Sequence, residues 1–421
     1  MVCKDVLSNG LRVLTEYLPD AYSVTTALWA GTGSAYEQAD EAGVSHVVEH
    51  MLFKGTGRRN SQQIAQLLEN VGGQMNAFTS REYTCYYTRS LAEDFELCLD
   101  LLSDMYLDAR FPAAEWAKEK GVILEEINMY EDTPDDLVGE MFNRKLLPTH
   151  PYGLPVIGTV ESVSGFTRED IEHYCRAHYA PEHTVLVVAG NVTREQALAM
   201  AEKYLNTTSY AGAGWNKPKL SASVYSSGTV HVHKDIEQVH VMLGVPGLSG
   251  DDPDIYTLNM LNSILGSGAS SRLFQEVREK RGLTYSVYSS VAAQRFGGAF
   301  SAYASTSLNR VDELLKVLGC EMAKIAADGV TEDELKRAQA QFKAGLLMGL
   351  ESSANVMVRL GRTETVYGEV QTVEEQVDKI MRVTCAEVKR LAASLLTPEK
   401  LVLSTVGAEE PKVDLPGLLS C

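Results

Sequence analysis

One stretch of this chain repeats another without a gap. Thr167 to Gly190 lies on Thr384 to Gly407 at a constant offset of 217. The match pairs Thr with Thr, Asp170 with Glu387, Ile171 with Val388, Pro181 with Pro398, Glu182 with Glu399, Val185 with Val402 and Gly190 with Gly407. Upstream, Thr159-Val160-Glu161 echoes Thr372-Val373-Glu374 at an offset of 213, the difference being an insertion of four. Self-similarity at so long a period means a chain built twice, as two tandem units of about 200 residues. The predicted units are 1–210 and 222–421. Between them Thr207 to Ala222, with Gly212, Gly214 and Pro218, reads as a linker.

Each unit mixes strands with helices. Leu7 to Leu14 holds two short strand patterns around an Asn9-Gly10 turn, and Ser23 to Ala30 is β-rich. Gln74 to Ser90 alternates and is rich in Thr, Tyr and Phe, as a strand pair should be. Helical spacing marks Leu91 to Ala109 through Leu97, Leu101, Leu102 and Met105. Further helices are predicted over Gln62 to Asn70, Ala113 to Glu131 and Asp135 to Leu147, and Thr167 to Asp170 is a capping box for another. His183 to Gly190 is an apolar strand. The predicted class is α+β, each unit an antiparallel-rich sheet covered by helices.

At 421 residues and 45% hydrophobic, the chain can bury large cores. No apolar run approaches the roughly 20 residues of a membrane span, and the N-terminus lacks a signal-peptide core. The expectation is a cytoplasmic protein with no membrane partner. Seven cysteines without a C-x-x-C pair argue against a disulfide framework and a thiolate metal site, and predict reduced thiols. A formal charge of −18 disfavours nucleic acid and favours basic peptides as partners.

The chemistry concentrates between Gly43 and Thr56. Read as a helix, this segment places His46 and His50 one turn apart on one face with Glu49 beside them. Two imidazoles so spaced can hold one zinc ion, leaving positions for an acidic third ligand and a water whose proton Glu49 can take. This H-x-x-E-H order marks the inverzincin metallopeptidases. Val44, Val47, Val48, Met51 and Leu52 make the segment too apolar for a solvated helix. The ionisable groups are therefore partly buried and need partners, which a divalent cation would supply. Where the second unit carries the corresponding helix, Asn259 to Leu265, there is no histidine.

Three motifs give the chain a resemblance to the pitrilysin/insulinase metallopeptidases, closest to the β subunit of mitochondrial processing peptidase and its bacterial homologues. They are G-V-S-H-V-V-E-H-M-L-F-K-G-T from Gly43, N-A-F-T-S-R-E-Y-T-C-Y-Y from Asn76 and V-I-L-E-E from Val122. The resemblance implies one Zn2+ per chain, with Glu126 as third ligand and Glu119 as the carboxylate supporting it. Their spacing of seven residues puts both on one helix face and turns Glu125 away. It further implies a substrate held as an added strand by Asn76 and Ala77, with Phe53 lining the pocket for the residue after the cut. Asp136 and Glu140 match positions that bind an arginine upstream of the cleavage point, and Arg278 and Tyr285 match a pair that stabilises the developing oxyanion opposite the zinc.

Family members close a chamber from four such units, whereas this chain has two, which implies half of a clamshell and a homodimer. The implied activity is endopeptidase cleavage of unfolded or presequence-like peptides, extended or basic. A non-catalytic scaffold like the respiratory-complex core subunits, or a catalytic subunit needing a separate partner chain, stand as alternatives.

Overall fold

The computed structural model describes residues 2–207 and 215–420. Its strands are β1 (Val2–Val6), β2 (Arg12–Tyr17), β3 (Ser23–Ala30), β4 (Gln74–Thr79), β5 (Thr84–Leu91), β6 (Thr184–Gly190), β7 (Gly228–His233), β8 (Gln238–Gly247), β9 (Val287–Gln294), β10 (Gly297–Ser307) and β11 (Val402–Gly407). The helices in the first half are α1 (Val44–Leu52), α2 (Ser61–Glu69), α3 (Phe95–Asp108), α4 (Ala113–Asp132), α5 (Pro134–Leu146), α6 (Val160–Gly165), α7 (Arg168–His178) and α8 (Arg194–Leu205). In the second half they are α9 (Ile255–Gly266), α10 (Val311–Asp328), α11 (Glu332–Gly349), α12 (Ser353–Tyr367), α13 (Val373–Arg382) and α14 (Cys385–Leu395).

The duplication is visible element by element. α7 and α14 occupy the residues that an offset of 217 dictates, each opened by a capping box, Thr167 with Asp170 and Thr384 with Glu387. Such a box satisfies orphan N–H groups at a helix start from both ends of a three-residue span. The sheets run β1-β2-β6-β3-β5-β4 and β7-β11-β8-β10-β9. Within each, one parallel pair, β2 with β6 and β7 with β11, interrupts an otherwise antiparallel ladder. The Asn9-Gly10 turn joins β1 to β2, and Gly10 adopts the positive φ that such a turn requires. The helix read from Leu91 starts only at Phe95, because the strand β5 claims residues up to Leu91.

Both faces of the first sheet are covered. Alternate residues of β3 and β6, Val24, Leu28, Leu186 and Val188, join a core with α1, α3, α4 and α7. The intervening Ala27, Trp29, Val185, Val187 and Ala189 pack against Val356, Met357 and Leu360 of α12. A strand buried on both sides needs apolar residues throughout, which is why β6 reads as an unbroken apolar run.

The compact units do not follow the repeat boundaries. One gathers residues up to Asn128, Pro155–Lys219 and Leu347–Gln371; the other gathers Met129–Leu154, Leu220–Leu346 and Thr372 onward. Helix α12 of the second repeat thus lies on the first sheet, against β3 and β6, while α5 of the first repeat lies on the second sheet, against β8 and β11. Residues 208–214 of the expected linker lie outside the described residues. Beyond them, Lys217 sits over the Tyr36 ring at 4.2 Å and His183 Nε2 contacts Trp215 O at 3.1 Å.

The seating of the two exchanged helices is reversed in size. A Cβ added at Gly361 of α12 would fall inside the indole of Trp29 on β3. On the second sheet the glycine is in the strand: a Cβ at Gly244 of β8 would meet Phe300 O of β10 at 2.5 Å and Phe142 of α5 at 2.8 Å. Trp29 and Gly244 are equivalent positions, for Trp29 pairs with Val185 and Gly244 with Val402, residues related by the same offset of 217.

Among the described residues Cys3, Cys85, Cys98, Cys175 and Cys385 are free. Cys320 is disulfide-bonded, so the expectation of reduced thiols throughout fails at that residue. No helix among the described residues is long and apolar enough to cross a membrane.

Candidate metal centre

Helix α1 is pinned at its start by main chain and by one carboxylate. Gly43, its N-cap, has φ of 91°, and a Cβ there would meet Ile157 O at 2.6 Å and Gly158 Cα at 2.7 Å. Only glycine allows that conformation and that approach together. With no side chain to offer, Gly43 leaves the helix's orphan N–H groups to Glu37, whose two carboxylate oxygens accept from Gly43 N and Ser45 N at 2.8 Å each. Ser45 Oγ in turn shares hydrogen bonds with Tyr174 Oη at 2.8 Å, and Tyr174 with Thr32 at 2.9 Å. The apolar face of α1, Val44, Val47, Val48, Met51 and Leu52, is fully buried.

The opposite face carries His46 and His50, with ring centroids 4.6 Å apart. The neighbouring α4 brings Glu126 to them: its Oε2 is 3.8 Å from His46 Nε2 and 3.5 Å from His50 Nε2. One ligand atom from each of the three lies within 4.8 Å of the others, and this is the one such cluster among the described residues. Glu119, two turns before Glu126 on the same helix, sits 2.8 Å from His50 Nδ1. A carboxylate only accepts, so Nδ1 carries the hydrogen and the lone pair of Nε2 points toward Glu126. Lys54 Nζ lies 2.5 Å from the other Glu119 oxygen, which fixes the position of that carboxylate. Glu125 is exposed and takes no part.

These donors fit a zinc ion. Two imidazole nitrogens and one carboxylate oxygen converge, one imidazole is already oriented by a carboxylate, and a tetrahedral ion keeps one position free. Burial, and secondarily His50, push His46 down to about 3, so its ring is neutral and its lone pair available. Its Nδ1 is buried without a hydrogen-bond partner. Glu49, partly buried beside the cluster, is raised first by burial and also by the charge of Glu126, against hydrogen bonding from Thr79 and the field of His50. A carboxylate so raised is a better proton acceptor than a solvated one.

The remaining predicted residues fall in two places. Asn76, exposed, and Ala77 lie on β4, the last strand of its sheet, paired only with β5. Phe53 ends α1, partly buried, packed toward two core clusters. In the second unit, exposed Asp136 and partly buried Glu140 stand one turn apart on α5. The Arg278 guanidinium lies over the rings of both Phe274 and Tyr285, 4.8 and 4.6 Å from their centroids. The structure brings that pair together, Arg278 coming from a wide helical turn over Phe274–Glu279 and Tyr285 from beyond it, and leaves Tyr285 84% exposed. Sequence reasoning missed Glu37, Lys54, Thr79 and Phe274. Each acts through a partner that only the folded structure identifies, although Lys54 and Thr79 sit inside the motifs already singled out.

A duplicated α+β fold with a two-histidine, one-glutamate cluster, and Glu49 beside the histidines on their helix, is the arrangement of the inverted-motif metallopeptidases. Comparison with known proteins agrees. Residues 12–160 match the model described as insulinase (peptidase family M16), and residues 165–342 match the one described as the peptidase M16 inactive domain. The chain is 40% identical to an uncharacterized zinc protease of Mycobacterium leprae over 99% of its own length and 94% of the relative's. It is 36% identical to the uncharacterized zinc protease YmxG of Bacillus subtilis, over 95% and 97%. The chain therefore belongs to peptidase family M16, the insulinase or pitrilysin family of zinc peptidases. Among solved structures it is similar to a Pseudomonas fluorescens protein titled peptidase M16 inactive domain, with a TM-score of 0.90, 25% identity and coverage of 98% and 99%. A chain of the Candida albicans complex III2 shares the fold, with a TM-score of 0.86, 21% identity and coverage of 100% and 99%.

Proposed function

We propose that the chain is an endopeptidase holding one zinc ion, which hydrolyses unfolded or presequence-like peptides. The observation that carries this reading is the convergence of His46, His50 and Glu126 beside Glu49. His46 and His50 would hold the ion through Nε2 and Glu126 through its carboxylate. When bound, zinc supplies Lewis acidity, which makes a water molecule ionise near neutral pH. Glu49 accepts the proton of the attacking water and returns it to the leaving amine as the C–N bond breaks, so no covalent enzyme intermediate forms. Glu119 keeps His50 in the tautomer that offers Nε2.

The free edge of β4 takes the substrate as an added strand, with Asn76 and Ala77 engaging its main chain and Phe53 facing the residue after the cut. Main-chain pairing binds any extended sequence, so selectivity falls to side chains. Asp136 and Glu140 would attract an arginine ahead of the cut. Arg278 and Tyr285 would bind the substrate carbonyl and stabilise negative charge on its oxygen. The protein works as a cytoplasmic homodimer, two chains supplying the four units of a closed chamber. Light scattering that reads a single chain at assay concentration would refute the dimer.

The competing reading is a non-catalytic scaffold, favoured by the fold shared with a complex III chain, or a subunit that needs a separate partner. A scaffold has no need of a complete ligand set. The purified chain, alone, should cleave an unstructured basic peptide and stop when a chelator is added. No cleavage, or cleavage indifferent to chelator, rejects the reading.

A further inference from the structure

We infer that Thr79 is the positioning residue of the general base, holding one oxygen of Glu49 so that the other is presented to the attacking water. This inference rests on the peptidase reading above. Thr79 Oγ1 donates to Glu49 Oε2 at 2.5 Å. The two residues come from different elements: Glu49 from the sixth position of α1, Thr79 from the last position of β4. A glutamate side chain has three rotatable bonds, and a base that must transfer a proton twice in one turnover cannot wander among their rotamers. His50 Nδ1 and Lys54 do not fix it, since their partner is the Glu119 carboxylate. The hydroxyl of Thr79 does, through a bond to one oxygen that leaves the second oxygen's lone pairs for the water.

The location adds a second consequence. β4 is paired with β5 on one side only, at Thr79 through Thr84. Thr79 therefore ties the base to the strand whose open edge receives the peptide, three residues beyond Asn76. A substrate that pairs with β4 rigidifies the strand that aims Glu49. The last residue of the strand thus serves turnover rather than binding.

The test uses the full chain. Thr79→Val removes the hydroxyl and keeps the shape, while Thr79→Ser keeps the hydroxyl and removes a methyl group. With bound zinc measured and unchanged, Thr79→Val should lower kcat on an unstructured basic peptide by about tenfold or more, with KM within about twofold, and Thr79→Ser should recover most of the loss. Crystal structures supply a readout independent of turnover: one Glu49 rotamer in the wild type and Thr79→Ser, several in Thr79→Val. Wild-type kcat and a single Glu49 rotamer in Thr79→Val would overturn the inference. So would a Thr79→Ser variant as slow as Thr79→Val. If the wild type itself fails to cleave, the peptidase reading falls, and the rotamer comparison still decides what Thr79 holds.

Discussion

Glu37 links the protonation of one side chain to the stability of the helix that carries His46 and His50. Burial pushes it up to about 7, against the opposing pull of the Ser45 and Gly43 amides. In the unfolded chain it returns to about 4.5. Between those values the folded state keeps the proton and the unfolded state has released it. The contribution is thus fully present below about 4.5 and is lost as pH rises through 7, at most about 3 kcal/mol at 1.36 kcal/mol per unit. Glu37→Gln does not titrate. For metal-free protein, the difference in unfolding free energy between wild type and Glu37→Gln should therefore shift against the wild type from pH 5 to pH 8. Parallel pH profiles would contradict this. At this scale the sequence was legible where the partners are local. His46, Glu49 and His50 stand at a recognisable spacing along one helix, whereas Glu119 and Glu126 were reached through the family resemblance, with which their common face agrees. Glu37, Lys54 and Thr79 meet their partners through tertiary folding, and no periodicity encodes that.

Among the elements, strands and helices follow from pattern because propensity, capping and turn chemistry are local. Thr167 and Thr384 open equivalent helices, and Asn9-Gly10 turns a hairpin. Which sheet a helix covers is not local. Helices α5 and α12 each carry an apolar face, and the size of what they meet differs between the two sheets. Gly361 admits Trp29 on the first sheet, while Phe142 fills the place that Gly244 leaves on the second. Placed on the first sheet, α5 would drive Phe142 into Trp29; placed on the second, α12 would leave a void. Gly361→Leu should accordingly cost roughly 1–3 kcal/mol of stability by overpacking. Combining Gly361→Phe with Trp29→Gly, which copies the second sheet, should cost clearly less than the two single changes added together. Additive costs in denaturant unfolding would show that size complementarity does not assign the helices.

For the whole molecule, duplication supplies the fold class and exchange supplies the reason that the halves depend on each other. The gap-free repeat announced two units. It gave no sign that each would surrender a helix, since both α5 and α12 stay within their own repeats in sequence. A chain ending at 210 lacks α12 and exposes Leu14, Ala27, Trp29, Val185 and Val187, the face that α12 covers. Residues 1–210 expressed alone should aggregate or lack a cooperative unfolding transition, and supplying 347–371 should restore one. A sharp transition from 1–210 alone would contradict the exchange as a requirement for folding. The centre itself needs α1, α4 and β4 of the first unit, and its assignment as a peptidase depends on those residues more than on the shared fold.

The most direct measurement pairs bound zinc with turnover in the wild type and in Glu49→Gln. About one zinc per chain is expected in both proteins, with peptide cleavage in the wild type and a loss of several orders of magnitude in the variant. A variant that cleaves as the wild type does, or a wild type that binds no zinc at His46, His50 and Glu126, would contradict it.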